Sequence, residues 1–129
     1  MEDVNCTTPV ALFFYQRSES TRKVIEWINS ARPPSVYLIT DQAPPDGDRD
    51  AVERCRETVD EFEWHQDIEF RCDYADTHHG LHQRFVSGLA WLFDNESEAI
   101  ILEDDGVPNA SFFEFCDAML SKYRTDERV

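Results

Sequence analysis

Lysine is almost missing from this 129-residue chain, and basic residues as a whole are outnumbered. Lys23 and Lys122 are its only lysines, and 27 acidic residues against 12 basic ones give a formal net charge of −15. Proteins that bind nucleic acid or anionic lipid without sequence preference need the opposite balance. The composition therefore argues against both partner classes, and a phosphate-bearing ligand would need locally placed cations.

Long apolar runs and closely spaced cysteine pairs are also lacking. The longest apolar stretches, residues 9–15 and 99–102, are far shorter than the ~20 residues that a membrane-spanning helix needs. Cys6, Cys55 and the other two cysteines form no Cys-x-x-Cys pair, and no secretory leader is visible. We therefore expect reduced thiols in a cytoplasmic protein, without a membrane span and without structural zinc.

The chain does have alternating strand and helix patterns over the length of one domain, with 41% hydrophobic residues. Its predicted elements are, in order, a strand at 9–15, a helix at 21–31 capped by Ser20, a strand at 36–40, a helix at 49–62, a half-exposed or edge strand at 68–72, a helix at 81–93, a short buried strand at 99–102, and a helix capped by Asn109 or Ser111. This order predicts an α/β fold: a mostly parallel sheet of about four strands with helices on both faces.

Helical spacing also predicts which side chains the last two helices bury. The predicted buried face of the helix at 81–93 consists of Phe85, Val86, Leu89, Leu92 and Phe93. The predicted apolar side of the last helix consists of Phe112, Phe115, Cys116, Met119, Leu120 and Tyr123.

Three acidic residues in a row, Glu103, Asp104 and Asp105, follow the apolar residues 99–102 and precede Gly106 and Pro108. A strand at 99–102 would deliver all three to the carboxyl end of the sheet, where open α/β sheets bind ligands. Crowded carboxylates stay ionised more easily around a hard divalent cation such as Mg²⁺ or Mn²⁺. The alternative interpretation is a solvated acidic turn.

Two further strands end in acids, since Asp41 follows residues 36–40 and Asp73 follows residues 68–72. In a parallel sheet both would lie on the same edge as the acidic triplet. Carboxylates there can hold a base or a ribose while the triplet holds a metal that bridges two phosphates. For each of the two, an ordinary Asx turn or a helix cap is an equally good explanation.

The segment AIILEDDGVPNASFFEFC, residues 99–116, resembles the metal-binding segment of nucleotide-diphospho-sugar glycosyltransferases of the GT-A fold, family 2 type, with its acidic motif of the Asp-x-Asp kind. The opening strand, the polar turn Gln16-Arg17 and Asp41 after the second strand fit the same family. The resemblance implies that residues 1–129 are one nucleotide-sugar-binding domain, either truncated at its C-terminal end or naturally short, which binds a nucleotide-diphosphate sugar for transfer to an unknown acceptor.

The resemblance also assigns roles to individual residues. It implies that Asp105 binds Mn²⁺ or Mg²⁺ with Glu103 as the second candidate ligand, although Glu103 or Asp104 could instead contact the sugar or the ribose. Its implied donor-binding residues are Arg17, Asp41, Asp73, Arg84 and Asp104. Arg84 would meet the donor's phosphates or sugar through its bidentate fork, and the alternative is a solvated arginine on a helix face.

The chain departs from the family pattern in two places. His78-His79-Gly80 stands where relatives often carry an Asn-x-Gly type of turn, and His78 with His82 lacks a third ligand for a metal. Only residues 106–129 follow Asp105, in the part where these enzymes place acceptor recognition and a catalytic base. No catalytic residue is therefore predicted, and the chain corresponds to the donor-binding part of such an enzyme.

Two other classes compete with the enzyme interpretation. A non-catalytic interaction or regulatory module could keep the fold, and uncovered apolar surface would then leave a homo-oligomer as an option. A phosphoacceptor domain of the flavodoxin-like type ranks last, because it needs acids after the first strand, where this chain has Gln16-Arg17.

Overall fold

The computed structural model describes residues 5–129 and contains four strands and four helices in strict alternation. The elements are β1 (Val10–Phe14), α1 (Ser18–Ala31), β2 (Ser35–Thr40), α2 (Arg49–Asp60), β3 (Glu69–Tyr74), α3 (Leu81–Asn95), β4 (Ile100–Glu103) and α4 (Ala110–Tyr123). All strand pairs are parallel, in the order β3-β2-β1-β4. The predicted fold class, an α/β fold with a parallel sheet, is confirmed.

The two faces of the sheet bury separate clusters because side chains alternate along each strand. Val10, Leu12 and Phe14 of β1 pack in one cluster with apolar residues of α1, α2 and α4. Ala11 and Phe13 point the other way and pack with residues of β2 and α3. Helices therefore cover both faces, with α3 alone on the second face.

The start of helix α1 differs from the prediction. This helix begins at Ser18, its N-cap position is Arg17, and no side chain caps it. The predicted cap, Ser20, is wrong, because the Ser20 hydroxyl donates instead to the backbone carbonyl of Asp104. At α4 the choice between two caps is settled in favour of Asn109, whose side chain accepts the backbone N–H of Phe112.

The predicted buried face of α3 is wrong at two positions. Val86 is 56% exposed and Phe93 is 47% exposed, whereas Arg84, Gly88 and Leu92 are the buried residues of this helix. The reason is that α3 approaches the sheet most closely at Gly88, where an added Cβ would lie 2.7 Å from the Phe13 ring. The helix is thereby rotated so that a second apolar stripe faces outward.

Two further burial predictions need correction. In α4 the fully buried aromatic residue is Phe113, while the predicted Phe115 is 61% exposed. In β4, Ile100 and Leu102 are buried but Ile101 is 39% exposed. Because β4 is an edge strand and α3 lies on the other strands, the α3 side of β4 is uncovered. By contrast, the predicted edge position of β3 is confirmed.

All four cysteines are free thiols, in agreement with the prediction. Burial raises the pKa of the Cys6 thiol to about 12, with nearby Asp117 acting in the same direction. Within residues 5–129, no helix is both long enough and apolar enough to span a bilayer.

Candidate functional site

The strand order creates a crevice at one place on the sheet. From β1 the chain moves outward to β2 and β3, then returns to place β4 on the other side of β1. In open α/β sheets such a switch point opens a crevice at the carboxyl ends of the strands. A cleft of about 160 Å³ lies there, lined by Phe13, Phe14, Tyr15, Ile39, Asp41, Leu81, Arg84, Phe85, Glu103 and Asp104.

The three residues of the acidic triplet differ in their exposure to solvent at this cleft. Asp104 is half-buried, and its Oδ2 accepts the backbone N–H of Tyr15 at 2.9 Å. Glu103 and Asp105 on either side are exposed. Burial raises the pKa of Asp104, while the Tyr15 N–H and the charge of Arg17 act against that shift. The triplet is thus tied to the end of β1 through its middle residue.

The solvated-turn interpretation describes Glu103 and Asp105 but not Asp104. Among the residues described, no three His, Cys, Asp or Glu side chains are grouped as a ligand set for a metal ion. Mg²⁺ commonly takes only one or two protein carboxylates and completes its shell with water and substrate phosphates. The two exposed carboxylates do not by themselves form the ligand set of a cation held by the protein alone.

Asp41 uses its carboxylate to hold the loop that precedes α3. Its oxygens accept the backbone N–H groups of Gln42 at 2.8 Å, His79 at 2.9 Å and Gly80 at 2.9 Å. Nδ1 of His78 lies 3.5 Å from Asp41 Oδ2 and 2.7 Å from the carbonyl oxygen of Gln42. Only the Gln42 contact is local, and the contacts to His79 and Gly80 tie Asp41 to a loop far along the chain, so an ordinary Asx turn or helix cap does not describe its observed partners. A nucleoside contact stays a prediction.

Arg84 is 7% exposed, so the alternative of a solvated helix-face arginine is wrong. Its Nε donates to the carbonyl oxygen of Thr40 at 3.2 Å, and Nη2 donates to that of Asp73 and lies 3.3 Å from the Asp73 carboxylate. Nη1 donates to the Ser87 hydroxyl at 3.1 Å. Arg84 thus joins α3 to the carboxyl ends of β2 and β3 while also lining the cleft.

Arg56 of α2 makes the matching contacts from the opposite face of the sheet and was not predicted. Its Nη2 donates to the carbonyl oxygens of Asp41 at 3.0 Å and Ala75 at 2.8 Å, and its guanidinium lies 5.2 Å from the centre of the Tyr74 ring. The sequence did hold a signal, because Arg56 falls within the buried stripe of α2 next to Cys55. An arginine inside an apolar stripe needs buried acceptors, which the strand ends provide.

Aromatic side chains form the floor of the cleft. Phe13 and Phe85 stack with ring centres 4.2 Å apart and planes 6° apart. Burial raises the pKa of the Tyr15 hydroxyl, and the charge of Asp41 adds to the shift. The sequence identified the polar residues of this edge but not Phe13, Tyr15, Leu81 and Phe85 as its lining, since apolar residues in predicted strands and helices were assigned to the core.

Replacing Gly88 with alanine tests how this floor is supported. The new methyl would lie 2.7 Å from Phe13 Cε1 and 3.0 Å from Ile39 Cγ2, and both side chains line the cleft. We expect Gly88→Ala to lower the free energy of unfolding by about 2 kcal/mol, because overpacking costs about 3 kcal/mol and the gain in helix propensity offsets about 1 kcal/mol of it. Urea denaturation of Gly88→Ala beside Ala90→Gly would measure it. Ala90 is exposed on the same helix, and there the expected loss is only about 1 kcal/mol from helix propensity. An unchanged midpoint for Gly88→Ala would contradict the tight contact.

The remaining predicted residues lie at the margin of the cleft. Arg17 is exposed at the start of α1, close enough to Asp104 to affect the pKa of that acid. Asp73 is half-buried at the end of β3 and is paired with Arg84. His82 is exposed, and neither His78 nor His82 belongs to a group of three candidate metal ligands within residues 5–129.

The fold and the cleft define the class as an α/β protein with a Rossmann-like, all-parallel sheet and a candidate ligand crevice at its switch point. Comparisons with protein-family models, curated protein sequences and solved structures found no match.

Proposed function

We propose that this chain is the donor-binding domain of a metal-dependent glycosyltransferase that binds a nucleotide-diphosphate sugar. The observation that carries the proposal is the location of the acidic triplet. Glu103 and Asp104 line the cleft at the switch point, and Asp105 is exposed directly after them. A ligand in the cleft would meet carboxylates at one end and an aromatic floor at the other.

The proposed roles follow from which side chains are exposed to solvent and which already make hydrogen bonds within the protein. Glu103 and Asp105 would hold Mn²⁺ or Mg²⁺, which supplies electrostatic stabilisation of a departing diphosphate. Asp104 holds the triplet against β1 through Tyr15. Arg17 is exposed near the triplet and is the candidate cation for phosphate, because each of the three guanidinium nitrogens of Arg84 already makes a hydrogen bond within the protein. A cytoplasmic location belongs to the same proposal.

Calorimetric titration with UDP and with GDP, each with and without Mn²⁺, tests this proposal. We expect one of the two nucleotides to bind only when Mn²⁺ is present, and Asp105→Ala to weaken that binding at least about tenfold, or ~1.4 kcal/mol. Asp94→Ala is the matched control, because Asp94 is an exposed acid in the last turn of α3, at the opposite edge of the sheet. If Mn²⁺ does not strengthen the binding of either nucleotide to a folded sample, and Asp105→Ala does not change that binding, the proposal is wrong.

A non-catalytic interaction module is the second candidate, and a specific observation favours it. Asp41 and Arg84 use their polar atoms on the protein's own backbone, and no three-residue metal ligand set occurs within residues 5–129. The same titration separates the two candidates, since this module would bind neither nucleotide under any metal condition.

A further inference from the structure

Helix α3 carries one stripe that packs on the sheet and a second, more exposed stripe, whose Leu89 also packs against the core cluster on that face of the sheet. The buried stripe includes Gly88 and Leu92. The second stripe, here called the outer stripe, consists of His82, Val86, Leu89 and Phe93, which follow one another at intervals of four, three and four residues. That spacing places side chains along one side of a helix and is the pattern by which two helices pack together.

The outer stripe is substantially exposed. Val86 is 56% and Phe93 is 47% exposed, His82 is also exposed, and Leu89 is half-buried. Ile101 of β4 lies on the same side of the sheet and is 39% exposed. Val86, Phe93 and Ile101 are three of the eight large apolar residues that are exposed in residues 5–129.

The outer stripe is also free of charge, in contrast to the rest of the molecule. Residues 81–93 contain no Asp, Glu or Lys, and their single arginine, Arg84, is buried. The whole chain has a net charge of −15, and acids occur on the exposed surfaces of the other three helices. Depletion of charge at an apolar patch is typical of the centre of a protein interface.

We propose that the outer stripe is the interface of a two-fold symmetric homodimer, in which α3 packs antiparallel against α3 of a second copy. The positions of the outer stripe are symmetric about a point between Ser87 and Gly88. In an antiparallel pair of helices, Val86 therefore faces Leu89 of the second copy, and His82 faces Phe93 of the second copy. An isologous contact requires this property, because the same patch must serve on both subunits. The proposal is independent of nucleotide binding.

Charge argues against a basic partner at the outer stripe. A basic protein would be attracted to the acidic surfaces, where the 27 acidic residues are distributed, and would gain nothing from the neutral stripe. Two copies that each carry −15 repel one another overall, and they repel least when their charge-free stripes face each other. The dimer therefore tightens when salt screens the remaining repulsion.

Sedimentation velocity of the full chain, from low to several hundred micromolar and at low and moderate salt, tests the dimer. We expect a monomer–dimer equilibrium whose dissociation constant falls severalfold as salt rises. Val86→Glu should leave only monomer, because each interface would then bury two unpaired carboxylates. Phe115→Glu is the matched control, since Phe115 is 61% exposed on α4 and lies outside the stripe, and it should dimerise like the wild type.

Each outcome bears on the proposal. Wild-type protein that stays monomeric across the whole range overturns it, as does a dimer that Phe115→Glu dissociates as effectively as Val86→Glu. If Val86→Glu does not fold by circular dichroism, Phe93→Ser takes its place. Dimer retained in a folded Phe93→Ser protein, with a dissociation constant equal to that of the wild type, likewise overturns the proposal.

Discussion

Arg84→Met is expected to lower the free energy of unfolding by about 3 kcal/mol, one of the two largest effects of any single change at the candidate site. Methionine keeps most of the apolar stem but removes every donor. The carbonyl oxygens of Thr40 and Asp73 then lose their guanidinium partner, although the Thr40 oxygen keeps the backbone N–H of Ala75. Charged hydrogen bonds contribute more than neutral ones, and an abandoned buried acceptor costs further free energy.

Urea unfolding followed by tryptophan fluorescence measures this effect, with Arg22→Met as the matched control. Arg22 also lies on a helix and pairs with Glu26 at 3.1 Å, but its side chain is 55% exposed, so its loss should change stability by less than about 1 kcal/mol. The ion pair of Arg84 with Asp73 adds little to the expected effect, because the Asp73 side chain is 41% exposed. Equal midpoints for Arg84→Met and Arg22→Met would contradict the structural role of Arg84.

The two buried arginines support the carboxyl edge of the sheet on the β2–β3 side. Arg84 reaches it from α3, and Arg56 reaches it from α2 on the other face. Together they donate to the carbonyl oxygens of residues 40, 41, 73 and 75, of which the oxygen of Thr40 also accepts the Ala75 N–H and that of Asp41 the Thr40 hydroxyl. The cleft wall formed by Asp41 and Arg84 therefore depends on internal hydrogen bonds.

Hydrophobic periodicity predicted the fold because strands and helices differ in their repeat. Apolar runs such as residues 9–15 and the helical spacing of Val52, Cys55 and Val59 were sufficient to obtain the element order and the parallel sheet. Periodicity did not predict which apolar stripe of α3 is buried, since Val86 and Phe93 repeat as regularly as Leu92. That choice depends on close packing at Gly88 against Phe13, a tertiary contact.

The candidate site was predictable in part for a similar reason. Parallel strands bring Asp41, Asp73 and the acidic triplet to one edge, and that follows from element order alone. Whether a carboxylate is free for a ligand depends on nearby backbone N–H groups, which sequence patterns do not specify. Asp41 and Asp104 both accept such groups, whereas Glu103 and Asp105 are exposed to solvent.

Asp41→Ala is expected to lower the free energy of unfolding by about 3 kcal/mol and to release the loop before α3. Three backbone N–H groups lose their acceptor at a residue that is only 9% exposed. Amide hydrogen exchange measured by NMR should show faster exchange at His79 and Gly80, while residues of β1 change only with global stability. Asp46→Ala, at an exposed position of the loop after β2, is the control and should be neutral.

The same variant separates two roles that Asp41 can have in the proposed function. If Asp41 acts through the loop, Asp41→Ala weakens nucleotide binding only together with the faster exchange at His79 and Gly80. If Asp41 contacts the nucleoside directly, Asp41→Asn loses affinity while the His79 amide remains protected, because the amide oxygen of Asn can still accept the N–H that Oδ1 accepts, whereas the Gly80 N–H loses its acceptor Oδ2. Protection of both amides in Asp41→Ala would contradict the loop-holding role that the three hydrogen bonds indicate.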